Sequence, residues 1–226
     1  TIRMKKIFLI SIFYIFFFYS NSFAFIEFKQ SKDISLDTEQ ARGINFKPDG
    51  TIMYVTNRLG VTTDQEGQLI QYSLSTPFDI STATKTSHTD LLGGGGVAVL
   101  KYPHAIEFKP DGTKMFVVSG DRYSRIYQYN LTTAWDSSSA EFEASHAVTR
   151  DNDTRHLRTL EFKPDGKRMF TGGKGDNGTS QIKEFILANP WDLTSGVSAG
   201  DVSADLGGSE PNLRNAQFDP NGSILY

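Results

Sequence analysis

Among its 226 residues the chain has no cysteine, so whatever fold it takes stands without disulfides. It has only four histidines, His88, His104, His146 and His156, and no two have the short spacing of a metal-binding helix or finger. Positive charge is not in excess: 23 Lys and Arg face 26 Asp and Glu, a formal net charge of −3, a poor match to a nucleic acid backbone. Serines are plentiful, but none sits in a G-x-S-x-G elbow. The glycine-rich segment GGKGDNG from Gly172 to Gly178 runs into QIKEFIL, a strand pattern, and reads as a connecting loop; a phosphate-binding loop would open a helix. No linker or long charge run divides the chain, and Gly93 to Gly96 is the one low-complexity stretch.

One long apolar run is present, Ile7 to Tyr19, preceded by Lys5 and Lys6 and followed by Ser22, Phe23 and Ala24. This is the pattern of a secretory signal peptide cut after Ala24, with Thr1 to Arg3 upstream of the natural start at Met4. The run is shorter than the roughly 20 residues a membrane crossing needs, so no stable span is expected after cleavage. The expected location is secreted, periplasmic or at the cell surface. Removing residues 1–24 takes away three cations and no anions, leaving a formal charge near −6.

The remaining residues repeat. FKPDG occurs at Phe46, Phe108 and Phe162, and FDPNG at Phe218, at spacings of 62, 54 and 56 residues. Eight residues after each phenylalanine stands another aromatic, Tyr54, Phe116, Phe170 or Tyr226, so each copy reads strand, tight turn, strand. Proline presets φ in that turn, aspartate bonds its own backbone, and glycine takes the positive φ that closes it. A third run follows, QLIQYSL, RIYQYNL or QIKEFIL, and six residues past its aromatic stand Phe78, Trp135 and Trp191, each followed by aspartate. A weaker fourth strand such as AEFEASHAV completes the unit. Four short antiparallel strands per repeat of this length predict an all-β chain of β-propeller blades.

FKPDGTKMFV resembles the Pro-Asp-Gly hairpins of TolB-like propellers, and MYVTN at Met53 to Asn57 resembles the YVTN family of surface-layer propellers. The Tyr-x-Leu-x-x-x-Trp-Asp ending is similar to repeats of secreted bacterial and phage propellers. The resemblance covers Gly43 to Tyr226 and implies the fold far more than an activity, because propellers host hydrolases, lactonases, receptors and scaffolds alike. The expected blades run over about 41–100, 101–154 and 155–210, with the start of a fourth over 211–226. Three blades and a stub form an open arc, expected to be the front part of a larger ring. Phe25 to Ser35 sits where an outermost strand would close that ring.

Residues constant in every copy are explained by packing and turns: Phe46, Phe108, Phe162, Phe218, Trp135 and Trp191. Binding is expected where copies differ, on the face of the loops 57–67, 119–124 and 172–180; the aromatics Tyr123, Tyr127 and Phe142 would stack on sugars there only at its rim, and burial between blades is the expected fate of most of them. Four residues before each repeat phenylalanine come Arg42, His104, Arg158 and Arg214, which start the innermost strands and would circle one mouth of the channel. Such a row suits a carboxylate, phosphate or sulfated sugar. The competing account pairs these groups with Glu107 and Glu161 on the same strands, in which case the two acids neutralise cations and are not a tuned acid–base pair. No cofactor is expected; Asp151, Asn152, Asp153, Asp176 and Asn177 offer oxygens of the kind calcium takes, without EF-hand spacing. The leading expectation is an exported, non-enzymatic recognition or scaffold module whose ligand is an anionic small molecule, a glycan or a protein. The alternatives are a propeller hydrolase of the lactonase kind and a structural repeat of a surface layer or phage fibre.

Overall fold

The computed structural model describes residues 29–58, 67–91, 100–120, 124–148, 156–174, 180–205, 213–219 and 223–224. The signal-peptide pattern, Tyr123 and the five candidate calcium residues lie outside them. Among the described residues no helix is long and apolar enough to cross a membrane.

Among the described residues twelve strands form three four-stranded antiparallel sheets. The first holds β1 (Gln40–Phe46), β2 (Ile52–Arg58), β3 (Gln68–Leu74) and β4 (Ala83–Asp90). The second holds β5 (Pro103–Phe108), β6 (Lys114–Ser119), β7 (Arg125–Leu131) and β8 (Ala140–Ala147). The third holds β9 (His156–Phe162), β10 (Arg168–Lys174), β11 (Ser180–Asn189) and β12 (Asp192–Asp205). Each sheet is ordered as its strands come in the chain, and the first strands lie side by side, β1 next to β5 and β5 next to β9. This is a propeller arc, not closed into a ring.

The turns form as their residues dictate. In the first sheet the Lys47 N–H donates to Ile52 O (3.0 Å), and Asp49 Oδ1 accepts from the Thr51 N–H (3.0 Å) and hydroxyl (2.6 Å). Lys109 with Lys114 and Lys163 with Arg168 repeat the closing bond at 3.0 and 2.9 Å. Gly50, Gly112 and Gly166 sit at φ of 73°, 74° and 70°, the left-handed region that a side chain disfavours.

The second set of landmarks is bound to the first, which the linear pattern does not reveal. Phe78, Trp135 and Trp191 themselves take left-handed φ of 61°, 65° and 58°. That conformation costs an L-residue about 1–2 kcal/mol, and it is offset by what it permits. The N–H of each donates to the hairpin glycine's carbonyl, Gly50, Gly112 or Gly166, at 3.0, 3.0 and 2.9 Å. Each ring lies flush on the same glycine: a Cβ there would stand 2.4 Å from the Phe78 ring, 2.3 Å from Trp135 and 2.0 Å from Trp191. Asp79, Asp136 and Asp192 then accept from the N–H two residues on, at 3.0, 2.9 and 2.9 Å.

Blades stack through aromatics. Tyr54 of β2 meets Phe108 of the next sheet (4.4 Å between centroids), which meets Trp135 (5.4 Å); Phe116 meets Phe162 (4.7 Å), which stacks on Trp191 (4.5 Å). The Tyr54 hydroxyl also donates to Trp135 O at 2.6 Å. Tyr127 is fully buried in this packing, and Phe142 leans edge-on against it, so neither is free to stack on a sugar. Phe218 meets Phe170 edge-on at 4.8 Å, and Asp219 N–H donates to Ile224 O at 2.9 Å, so a fourth unit begins with the same hairpin bond.

The described part of the segment expected as an outermost strand, Lys29 to Ser35, is not a strand. Its sequence KQSKDIS lacks alternating apolar residues. Gln30 instead bridges the first blade's outer turn, donating to Phe78 O (3.1 Å) and accepting from the Ser81 N–H (3.3 Å).

Candidate functional site

Arg42, His104, Arg158 and Arg214 converge with Asn45, Glu107, Glu161 and Gln217 on one cleft of about 830 Å³ along the inner strands. In a regular strand, residues three apart point to opposite faces, so the cation of each copy and the polar residue before its phenylalanine should part company. They do not, because each inner strand carries a bulge at the cation. The register of β1 on β2 slips between Ala41 and Ile44, that of β5 on β6 between Pro103 and Ile106, and Arg158 is the extra residue between Leu157 and Thr159 opposite Gly172 and Gly173. One inserted residue resets the alternation and turns both side chains to the cleft. The inner strands are tied where the bulges sit: Thr56 Oγ1 accepts from the Gly43 N–H and donates to His104 O, both at 2.7 Å. Gly43 is required there, since a Cβ would stand 2.1 Å from His104 O.

The start of β1 lies opposite the end of β2, Gln40 against Arg58, so the cation mouth shares its end of the blade with the loops between second and third strands. Most of those loop residues fall outside the described ones.

The electrostatics decide between the two accounts of the row. An arginine–glutamate pair would lower the carboxyl's pKa. Instead both acids are raised, and no described ion pair joins Arg42, Arg158 or Arg214 to either. Loss of solvent, then the neighbouring Glu161, pushes Glu107 up to about 8, against opposing bonds from Asn45 and the Phe108 backbone. Asn45 Nδ2 donates to Ile106 O (2.9 Å) and Glu107 Oε2 (3.3 Å). Loss of solvent raises Glu161 to about 7, opposed by a bond from the Phe218 backbone. The expectation that these acids neutralise the cation row is therefore corrected.

Burial, then Arg158 and Arg42, pushes the His104 imidazole down to about 3, so it stands in the row as a neutral ring. Burial and the fields of Arg214 and Arg42 also lower Arg158, whose Nε is buried without a hydrogen-bond partner. Arg42 and Arg214 are exposed, and Arg42 donates to Gln40 Oε1 at 2.7 Å. The result is three guanidiniums at the mouth and two carboxyls deeper in, raised to about 8 at Glu107 and about 7 at Glu161. Asn45 and Gln217 were overlooked in sequence; the signal was their shared place one residue before the phenylalanine. Among the described residues no cluster of three or more His, Asp or Glu side chains is placed to hold a metal.

No family model matches the chain, and no curated protein is significantly similar to it. Solved structures are similar in fold. A Bacteroides uniformis protein provisionally named a 6-phosphogluconolactonase aligns at 16% identity with a TM-score of 0.53, over 82% of this chain and 46% of its own. A protein from Lactobacillus plantarum aligns at 15% identity with the same TM-score and the same coverages. The fold is a propeller's. At this identity the likeness is to propellers at large and singles out neither the TolB-like nor the YVTN group. The chain spans less than half the length of either structure. The provisional enzyme name overturns the expectation of a non-enzymatic module, and the cleft, not the likeness, has to supply the chemistry.

Proposed function

We propose that this chain carries part of the active cleft of a propeller hydrolase of the lactonase kind, acting on an anionic substrate such as a sugar-acid lactone. One observation carries the reading: two carboxyls raised into the neutral range share a cleft with three guanidiniums they do not neutralise. A general acid and base work best with pKa values near the operating pH. Glu161, the lower of the two, takes a proton from water as its oxygen attacks the lactone carbonyl. The acyl C–O bond breaks, and Glu107, still protonated at neutral pH, gives its proton to the departing ring oxygen. Lactone and water become one hydroxy acid, and the two carboxyls exchange protons with solvent before the next turn.

Arg158 and Arg214 hold the substrate's anionic group. The rows lie three residues apart on each strand, on the order of 10 Å, which suits a phosphate or carboxylate at the far end of a six-carbon chain from the carbonyl. An exported setting and a kinship with TolB-like or YVTN-type propellers belong to the same proposal, supported by the leader pattern of residues 1–24 and the hairpin motifs. The test is hydrolysis of phosphorylated and unphosphorylated aldonolactones by the full-length protein. Turnover that prefers the phosphorylated form and is lost in Glu161→Gln is expected; turnover unaffected by Glu161→Gln ends this assignment of the base.

A further inference from the structure

One member of the row at the mouth differs from the rest in what it offers a ligand. β5 lies between β1 and β9, so His104 stands between Arg42 and Arg158 in the wall of the cleft. Its place is fixed twice over. The backbone carbonyl accepts from Thr56 Oγ1 of the first blade at 2.7 Å. The ring edge lies against Gly120, just past β6, where a Cβ would stand 2.3 Å from Cδ2 and 2.6 Å from Nε2. Gly120 is itself anchored: its N–H donates to Tyr102 O at 2.9 Å, and its carbonyl accepts from His156 Nδ1 of the third blade at 3.0 Å. A side chain set in this way has given up its rotamer freedom before any ligand arrives.

The fixed ring has bonding capacity to spare. Among the described residues neither of its nitrogens is hydrogen-bonded. Burial, then the fields of Arg158, Arg42, His156 and Arg214, keep it neutral, so one nitrogen donates and the other accepts. Arginine only donates. His104 is therefore the one side chain of the row Arg42, His104, Arg158 and Arg214 that can accept a hydrogen bond. An ionised phosphate or carboxylate satisfies the guanidiniums but brings no proton to an accepting nitrogen, and a cationic group is repelled by the arginines. A hydroxyl fits, being uncharged and both donor and acceptor. We propose that His104 is a specificity-determining residue that binds a hydroxyl of the substrate carried beside the anionic group held by Arg158. The inference rests on the arginine row as an anion seat and narrows the substrate from an anion to a hydroxylated one, a polyol or sugar-acid phosphate or carboxylate. An analogue without the hydroxyl leaves the ring nitrogens desolvated and unpaired, which is what makes such a contact selective.

Two simple probes test it. Glycerol 3-phosphate and propyl phosphate share an anionic group and a carbon chain and differ only in hydroxyls, and neither contains the bond a lactonase breaks. Calorimetric titration of the full-length protein is expected to show glycerol 3-phosphate bound about tenfold more tightly. In His104→Phe, which keeps a ring beside Gly120 and removes both nitrogens, the preference should fall to within about twofold; His104→Leu gives the same reading if the larger ring unfolds the chain. His104→Asn, which keeps a donor and an acceptor, should restore part of the preference, whereas Arg158→Gln should weaken both ligands alike. Equal binding of the two phosphates by the unaltered protein, or a preference that survives removal of the nitrogens, overturns the proposal and leaves the anion seat and the lactone reading standing. Failure of both phosphates to bind removes the anion seat and the proposal with it, while lactone turnover, measured separately, reports on the acid pair.

Discussion

The two ends of each blade follow opposite rules. At the Pro-Asp-Gly end the same bonds recur in all three blades within about 0.1 Å, from hairpin closure to the aromatic N–H on glycine, and the aspartates accept in the same way each time. At the other end the equivalent positions hold arginine or histidine, then asparagine, glutamate or glutamine, and polar groups there are raised, lowered or left without partners. Repetition marks the end that holds the fold together. Departure from it, with unsatisfied polar groups, is why the proposed chemistry is placed at the other end, because a protein tolerates such groups chiefly where a ligand meets them.

Mutation tests the contrast, and the largest effect should come at the irregular end. Glu161→Gln is expected to lower kcat for lactone hydrolysis by roughly 10²–10⁴-fold while the melting temperature holds or rises; a large loss of stability would instead place Glu161 among the structural residues. The same end should make stability depend on pH. Glu107 and Glu161 keep in the folded state protons that the unfolded chain releases above about 4.5, so their contribution is full below that value and is lost as pH rises through about 7 and 8. Denaturant melts between pH 4.5 and 8.5 should show that fall, on the order of a few kcal/mol, and Glu107→Gln should flatten most of it.

The regular end answers with stability alone. Gly166→Ala forces a side chain into φ 70° and against the Trp191 ring, and should cost about 3 kcal/mol in a urea melt; a cost below about 1 kcal/mol breaks the claimed coupling of the two turns. Back at the mouth, Arg158→Gln with Arg214→Gln should raise KM for a phosphorylated lactone by tenfold or more, from the loss of charge-assisted bonds, and leave KM for a neutral lactone nearly unchanged. Smallest of all, Tyr54→Phe removes the bond to Trp135 O and should cost about 1 kcal/mol, with no effect on turnover.

Much of the fold was legible because the instructions are local. Phe-Lys-Pro-Asp-Gly makes its turn within five residues, and an aromatic eight positions on sets the hairpin length. The cation row was legible as a column of the repeat. Its chemistry was not: Glu107 owes its raised carboxyl to burial and to Glu161 of the next blade, and its bond to Asn45 spans 62 residues. The left-handed tryptophans were equally hidden, since what compensates Trp135 is a glycine 23 positions earlier.

The sequence by itself determined the all-β repeat, the place of each tight turn and the column of three arginines and a histidine, because strand period, proline and glycine act over a few neighbouring residues. Only the tertiary structure decided that the bulges aim both polar rows into one cleft, that the acids there are raised into the neutral range and that His104 stays neutral. Register, desolvation and the field of a neighbouring blade exist only once distant segments are brought together.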